Sequence, residues 1–227
     1  MKKQPFYTEL SYVFGLIIMA FGATFTAKAD FGMSMVVAPA YILHLQVSQW
    51  LPWFSFGVAE YCLQGLLVAV TAVLMRKFKR AYLFSFVTAV LYGTFLDGAV
   101  ALLSALPAEA LWLRLVWYAV GTLCCSFAVS LFFHTYLSPE AYELIVKEIA
   151  AKFHLNVNKV KTVYDIGSTI AAIALSFAFF GFGVFRGMGI GTVVCAVLNG
   201  PLIALFSKGL ERVFVFKNRF AWEPYFT

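Results

Sequence analysis

Five residues able to hold a proton or a polar solute stand where the sequence is otherwise apolar: Glu60, Gln64, Asp97, Asp165 and Asn199. An ionisable group near the centre of a bilayer costs about 2.5–3.5 kcal/mol on insertion scales, so it faces a bundle interior or water rather than lipid. Glu60 sits near the middle of its hydrophobic run, with Gln64 one helical turn further on and on the same face. Asp165 stands nearer the end of another run, Asp97 lies past the middle of a third, and Asn199 precedes Gly200 and Pro201. Buried carboxyls keep their protons to higher pH than exposed ones. The chemistry this set supports is proton uptake, or binding of a small polar or cationic solute, in a cavity lined by Glu60, Gln64, Asp165 and Asn199. The competing reading is structural: Glu60 or Asp97 pairs with a helix or backbone group and ties a bundle together. A water-accessible Glu60 favours transport, and a dry, fully paired Glu60 favours a membrane partner without transport of its own.

The elements that must position these groups are transmembrane helices. Of the 227 residues, 62% are hydrophobic and 12% charged, against roughly half and a quarter in a soluble domain. A span needs about 20 mostly apolar residues. Six segments qualify: Tyr7 to Ala27, Leu51 to Met75, Ala81 to Leu106, Leu111 to Leu137, Val160 to around Phe180 or Phe185, and Gly189 to Leu210. Two further segments are too short to cross. Met33 to Leu45 is apolar. Pro139 to Phe153 is amphipathic, with Tyr142, Ile145, Ile149 and Phe153 on one face and Glu143, Lys147, Glu148 and Lys152 elsewhere. Ser138-Pro139-Glu140 has the form of a helix start, with Pro at the first helical position. The first span resembles a signal peptide, with Lys2 and Lys3 ahead and Ala27-Lys28-Ala29 behind, but its apolar run is longer than a usual signal core and it has an internal counterpart.

The 17 Lys and Arg against 11 Asp and Glu give a net charge of +6. These cations fall in short clusters between apolar runs, as at Arg76-Lys77-Phe78-Lys79-Arg80, and form no basic stripe of the kind that binds nucleic acid. The positive-inside bias then places both termini, the 76–80 cluster and the 139–153 helix in the cytoplasm.

The two halves of the chain echo each other. Tyr12-Val-Phe-Gly15 matches Tyr118-Ala-Val-Gly121 at an offset of 106, and Ala89-Val-Leu-Tyr-Gly93 matches Ala196-Val-Leu-Asn-Gly200 at an offset of 107. Glu60 lies opposite Asp165 at an offset of 105, and the two short segments correspond as well. Each unit holds three spans, so the second enters the membrane from the other side. The expected fold is therefore all-α: six transmembrane helices as two inverted three-helix repeats, each with a short non-spanning helix. Residues 1–106 form the first repeat, 107–212 the second, and 213–227 a cytoplasmic tail. Inverted repeats recur in secondary transporters, with the substrate site near the midplane between them.

Enzyme and cofactor signatures are absent from the sequence: it has no H-E-x-x-H, G-x-S-x-G or Walker motif. His44, His134 and His154 are widely spaced, and Cys62, Cys124, Cys125 and Cys195 lie inside apolar runs without metal-ligand spacing. The glycines at 181, 183, 187, 189 and 191 punctuate a turn and do not follow the dinucleotide pattern. No catalytic residue, metal or cofactor is expected.

Three short motifs carry a family resemblance: Phe31-Gly-Met-Ser-Met35, Leu137-Ser-Pro-Glu-Ala141, and Gly187-Met-Gly-Ile-Gly-Thr192 leading into Asn199-Gly200. With them the chain resembles the YczE/YyaS/YitT family of bacterial multi-pass membrane proteins. The resemblance implies a bacterial plasma-membrane location and supplies neither a substrate nor active-site residues. The expected function is that of a small secondary transporter for a polar or cationic solute, with proton coupling through the midplane carboxyls. The alternatives are a membrane partner or regulatory subunit without transport of its own, and an intramembrane enzyme. Expected partners are the lipid bilayer and a small-molecule or ion substrate, with a homodimer as a compatible assembly.

Overall fold

A computed structural model describes residues 3–137 and 140–220. Ser138 and Pro139 of the expected helix start, and positions 221–227 of the expected tail, lie outside the described residues. Eight helices follow one another: α1 (Thr8–Ala29), α2 (Ala38–Val47), α3 (Phe56–Met75), α4 (Arg80–Leu103), α5 (Leu111–Phe132), α6 (Ala141–Lys152), α7 (Val157–Phe180) and α8 (Ile190–Val213). Six of them, α1, α3, α4, α5, α7 and α8, are long and apolar enough to cross a membrane. The chain is a multi-pass helical membrane protein. Helices α2 and α6 hold 10 and 12 residues, or about 15 and 18 Å at 1.5 Å per residue, half of a hydrocarbon core of about 30 Å.

Local chemistry sets the helix limits. Ser55 has extended backbone and its hydroxyl accepts from the Val58 N–H at 3.1 Å, so α3 begins there and not at Leu51. Asp30 and Arg76 close α1 and α3 in the left-handed region, at φ 54° and 53°. The apolar run of the fourth span extends to Leu137, but α5 stops at Phe132: the run outlasts the helix.

One corner of the molecule is not α-helical. Gln4–Tyr7 (β1) and Phe214–Lys217 (β2) pair as a two-stranded parallel sheet, with Gln4 against Phe214 and Tyr7 against Lys217. The segment after 212 is thus in part a strand rather than a free tail. Glu9 fastens the same corner, accepting from the backbone N–H of Arg219 and Phe220, each at 3.0 Å, and from the Tyr136 hydroxyl at 2.8 Å. Both ends of the bundle therefore meet on one face, as an even number of spans requires. At the opposite face Arg114 reaches from the start of α5 to the Ala29 carbonyl at 2.8 Å, and the turn before α8 joins the loop after α1 through Met33 N–H to Gly187 carbonyl at 2.9 Å.

Helix α1 packs chiefly on α5, and this pair is the spine. Helix α4 flanks α1, and α8 flanks α5. Helix α2 lies on α3 and α7, and α6 lies on α7 and α3. Helices α3 and α4 pack along their length, whereas α7 and α8 scarcely touch.

Candidate functional site

The site is built on the two half-length helices. The Ala141 N–H, at the start of α6, donates to Gln64 Oε1 at 3.2 Å, near the middle of α3. At its far end Lys152 donates to the Leu74 carbonyl at 2.6 Å, where α3 ends. Helix α6 therefore runs from mid-depth down to the face that carries the termini, with its N-terminus buried inside the bundle. Residues Met33 to Val37, which lead into α2, reach the same interior from the other side.

Both N-termini meet at a cavity of about 370 Å³. Its walls come from α1, α4, α5, α7 and α8 as well as the two short helices. One side is apolar, with Met19, Val129, Phe132 and Ile203. The other is charged, with Glu140, Glu143 and Lys147 from the α6 segment and Lys161 and Asp165 from α7. Lys147 is exposed, so the charged side opens towards the face that carries the termini. Helix N-termini carry partial positive charge. Helix α6 answers its own with Glu140 and Glu143, while α2 has no acidic residue in its first turn.

The predicted residues separate into three groups. Asp165 and Asn199 line the cavity. Asn199 accepts from the Ser126 hydroxyl at 3.1 Å, and Pro201 just after it removes one backbone donor from α8. Glu60 and Gln64 do not form the cavity wall as the sequence suggests; they stand one layer behind it, both with no exposed surface. Tyr142, which does line the cavity, donates to Glu60 Oε2 at 2.8 Å, and the Gln64 amide donates to the same oxygen at 3.3 Å. Among the described residues Glu60 Oε1 has no partner. Asp97 is elsewhere. Its two oxygens accept from the Ser55 hydroxyl at 2.5 Å and the Gly57 N–H at 2.8 Å, so it closes the start of α3. The structural alternative for Asp97, a helix or backbone partner, accounts for both hydrogen bonds.

Four further cavity residues, Glu140, Glu143, Lys147 and Lys161, do not stand out in the sequence. Lys161 Nζ bonds Glu143 Oε1 at 2.7 Å. Glu140 Oε1 and Asp165 Oδ1 are sealed from solvent without a hydrogen-bond partner among the described residues. Burial pushes the Glu140 carboxyl up to about 8; the nearby Glu60 and Glu143 add to this and Lys161 opposes it. Burial, and then Glu60, hold Tyr142 as a neutral phenol well above its usual range, so it acts as a donor to Glu60. The amphipathic pattern of α6 is legible, but a polar face turned to an internal cavity has the same period as one turned to solvent. The available signal is the pairing of α6 with an equally short segment in the other half.

The model of a family described as a family of unknown function, DUF6198, matches residues 6–208. The chain belongs to this family. Its similarity also extends to a Bacillus subtilis (strain 168) protein named Uncharacterized protein YyaS: 22% identity over 217 residues, spanning 92% of this chain and 96% of that one. No solved structure matches. The DUF6198 match runs from β1 into α8 and so takes in every residue of the cavity.

Proposed function

We propose that this DUF6198 protein is a small secondary transporter whose substrate site is the cavity between two inverted halves, residues 1–106 and 107–212. The observation that carries the reading is the convergence of two half-length helices, by their N-termini, on one cavity with unpaired buried carboxyl oxygens. Discontinuous helices ending near mid-depth are how secondary transporters bring backbone dipoles to a substrate. Matching contacts support the inverted repeat. Helix α2 lies on α7 as α6 lies on α3. The Tyr12 hydroxyl meets Thr88 at 2.7 Å, and their counterparts at offsets of 106 and 107, Tyr118 and Cys195, meet at 3.1 Å.

The solute is small and polar or cationic. It enters from the termini face, which the Lys and Arg distribution assigns to the cytoplasm of a bacterial inner membrane. Proton coupling runs through the carboxyls, with Tyr142 linking Glu60 to the cavity. One observation favours the second reading, a membrane partner that transports nothing: Glu60 is dry and half-paired.

The test is reconstitution into liposomes with an imposed pH gradient, scoring solute-dependent proton flux across a panel of small polar and cationic solutes. Glu60→Gln keeps the side-chain shape and removes the buried charge, so the fold should survive and the flux should disappear. Asp165→Asn, on the cavity wall itself, should weaken it too. If Glu60→Gln alters only the melting temperature and leaves flux intact, Glu60 is structural. Absence of flux with every solute would leave the partner reading.

A further inference from the structure

We infer that the cavity binds an organic ammonium ion, its charged head seated between Glu140 and Asp165 and its apolar body against α1, α5 and α8. The inference names the solute class and rests on the transporter reading only for what binding leads to.

Three carboxyl groups line the charged side of the cavity: Glu140, Glu143 and Asp165. Two lysines line it with them, but neither neutralises the set. Lys161 is committed to Glu143 at 2.7 Å, and Lys147 stands exposed at the mouth. What remains is Glu140 and Asp165, two cavity-lining carboxyl groups, each with one oxygen that has no donor among the described residues. A buried acceptor left unpaired forfeits the hydrogen bonds it makes in water, at a higher cost when charged, so each group calls for an N–H donor. Both carboxyls lie within the electrostatic reach of the single Lys161 ammonium, which puts them around one volume rather than at opposite ends of the cavity. An ammonium group brings three donors, and its positive charge favours the ionised form of the Glu140 carboxyl beside it. A carboxylate ligand would instead bring acceptors only and would add a like charge beside Asp165.

The rest of the molecule is largely apolar, because α1, α5 and α8 offer Met19, Val129, Phe132 and Ile203, and the polar Ser126 and Asn199 beside them bond each other. A cavity of about 370 Å³ is at the lower end of the range for organic ligands. It suits a primary amine carrying one ring or a short alkyl chain.

Three probes of nearly one shape separate the possibilities: phenethylammonium, 2-phenylethanol and 3-phenylpropionate. Binding to the purified full chain in detergent is measured by isothermal titration and by thermal shift. Phenethylammonium should bind and stabilise, and the alcohol and the carboxylate should bind at least about tenfold more weakly, as loss of charge-assisted hydrogen bonds predicts. Glu140→Gln and Asp165→Asn should each weaken phenethylammonium by about tenfold or more. Glu148→Gln, whose partner is Lys79 at 2.6 Å on the surface, should leave it unchanged. Equal binding of the three probes, or preference for the carboxylate, overturns the inference without reference to any variant. Wild-type affinity in both Glu140→Gln and Asp165→Asn overturns it as well. Liposome flux is scored separately. Amine binding without flux would sustain this site and sink the transporter reading, whereas flux of another solute without amine binding would do the reverse.

Discussion

Helices α3 and α4 are locked together, while α7 and α8, which hold the corresponding places in the proposed second repeat, stand apart. The lock is a close backbone crossing. A Cβ added at Gly93 would lie 2.7 Å from the Gly57 carbonyl oxygen, and one added at Gly57 would collide with the Gly93 carbonyl. Small residues permit this approach, and in a bilayer such packing replaces the hydrophobic drive that water would supply. At Gly200, the counterpart of Gly93, an added Cβ would meet nothing within 4 Å among the described residues. The difference makes mechanical sense if the halves are related. Under the proposed transporter reading the closed pair would seal the cavity on one face, the splayed pair would leave it open on the other, and each pair would show the form the other takes when access alternates.

The sharpest way to break this comparison is to treat the two glycines alike. Gly93→Leu forces a side chain into the α3 backbone and the Tyr61 ring. Overpacking of this kind costs about 1–3 kcal/mol or more, and loss of the crossing adds to it. The expected result is a large fall in melting temperature or a failure to purify as a single species. Gly200→Leu should leave the melting temperature near that of the wild type. Equal losses at the two positions would erase the distinction.

A clasp at the start of α3 gives the next largest effect. Asp97→Ala strips the acceptor from the Ser55 hydroxyl and the Gly57 N–H, at about 1–3 kcal/mol for groups left unsatisfied. The counterpart of Asp97 at an offset of 107 is Ala204, which is exposed and has no carboxylate to close the corresponding pair. The second half therefore already carries, at this position, the residue that the substitution would place in the first. Ala204→Ser, a change of one oxygen at an exposed site, should fall within about 0.5 kcal/mol of wild type. Chemical or thermal unfolding of the two variants side by side measures the gap. An Asp97→Ala loss no greater than that of Ala204→Ser would show that the carboxylate does not hold α3 to α4.

A smaller effect belongs to the open side. Glu140 has its carboxyl pushed up to about 8 from an ordinary 4.5, by burial first and then by Glu60 and Glu143. The folded protein therefore keeps a proton that the unfolded chain has already released. Stability from this group is fully present below pH 4.5 and is lost as pH rises through about 8. Across that window the melting temperature of the wild type should fall more steeply than that of Glu140→Gln. The two groups facing Glu140 from α7, Lys161 and Asp165, and Glu60 behind it on α3 are common to both proteins, so the difference in slope isolates one carboxyl. Parallel profiles would sink the assignment.

The same contrast explains what can be read from sequence. Span positions are legible because about 20 apolar residues have few alternatives; Met75 ends its helix where the charge cluster places the limit, and of the two ends open to the fifth span, Phe180 and Phe185, the helix takes Phe180. Helix α6 is legible as a helix but not as an interior one, since Glu143 lines a cavity and Lys147 stands at its mouth. The β1–β2 pairing is not legible, because Gln4–Tyr7 and Phe214–Lys217 are four-residue strands at opposite ends of the chain. Of the five candidate residues, Asp165 and Asn199 reach the cavity wall. Glu60 and Gln64 point to α6, and Asp97 to the start of α3, because spacing along a helix fixes a face but not the neighbour on that face.

The smallest expected effect on stability gives the most direct view of the open side. Ala89 on α4 is completely buried, and its counterpart Ala196 on α8 is exposed and lines the cavity. On a background with the four native cysteines replaced, single cysteines at the two positions add one sulfur atom each and should barely move the melting temperature. Their chemistry should differ. Ala196→Cys should react readily with a membrane-impermeant maleimide, because the cavity brings water to it. Ala89→Cys should be inert until the protein unfolds. In oriented membrane vesicles the reaction at position 196 should require reagent on the face that carries the termini, the face of Lys79 and Lys152. Labelling at 196 from the opposite face only would reverse the direction of opening. Equal reactivity at 89 and 196 would mean that the packed and splayed pairs exchange freely in the resting protein, so that α3 and α4 are not the locked half.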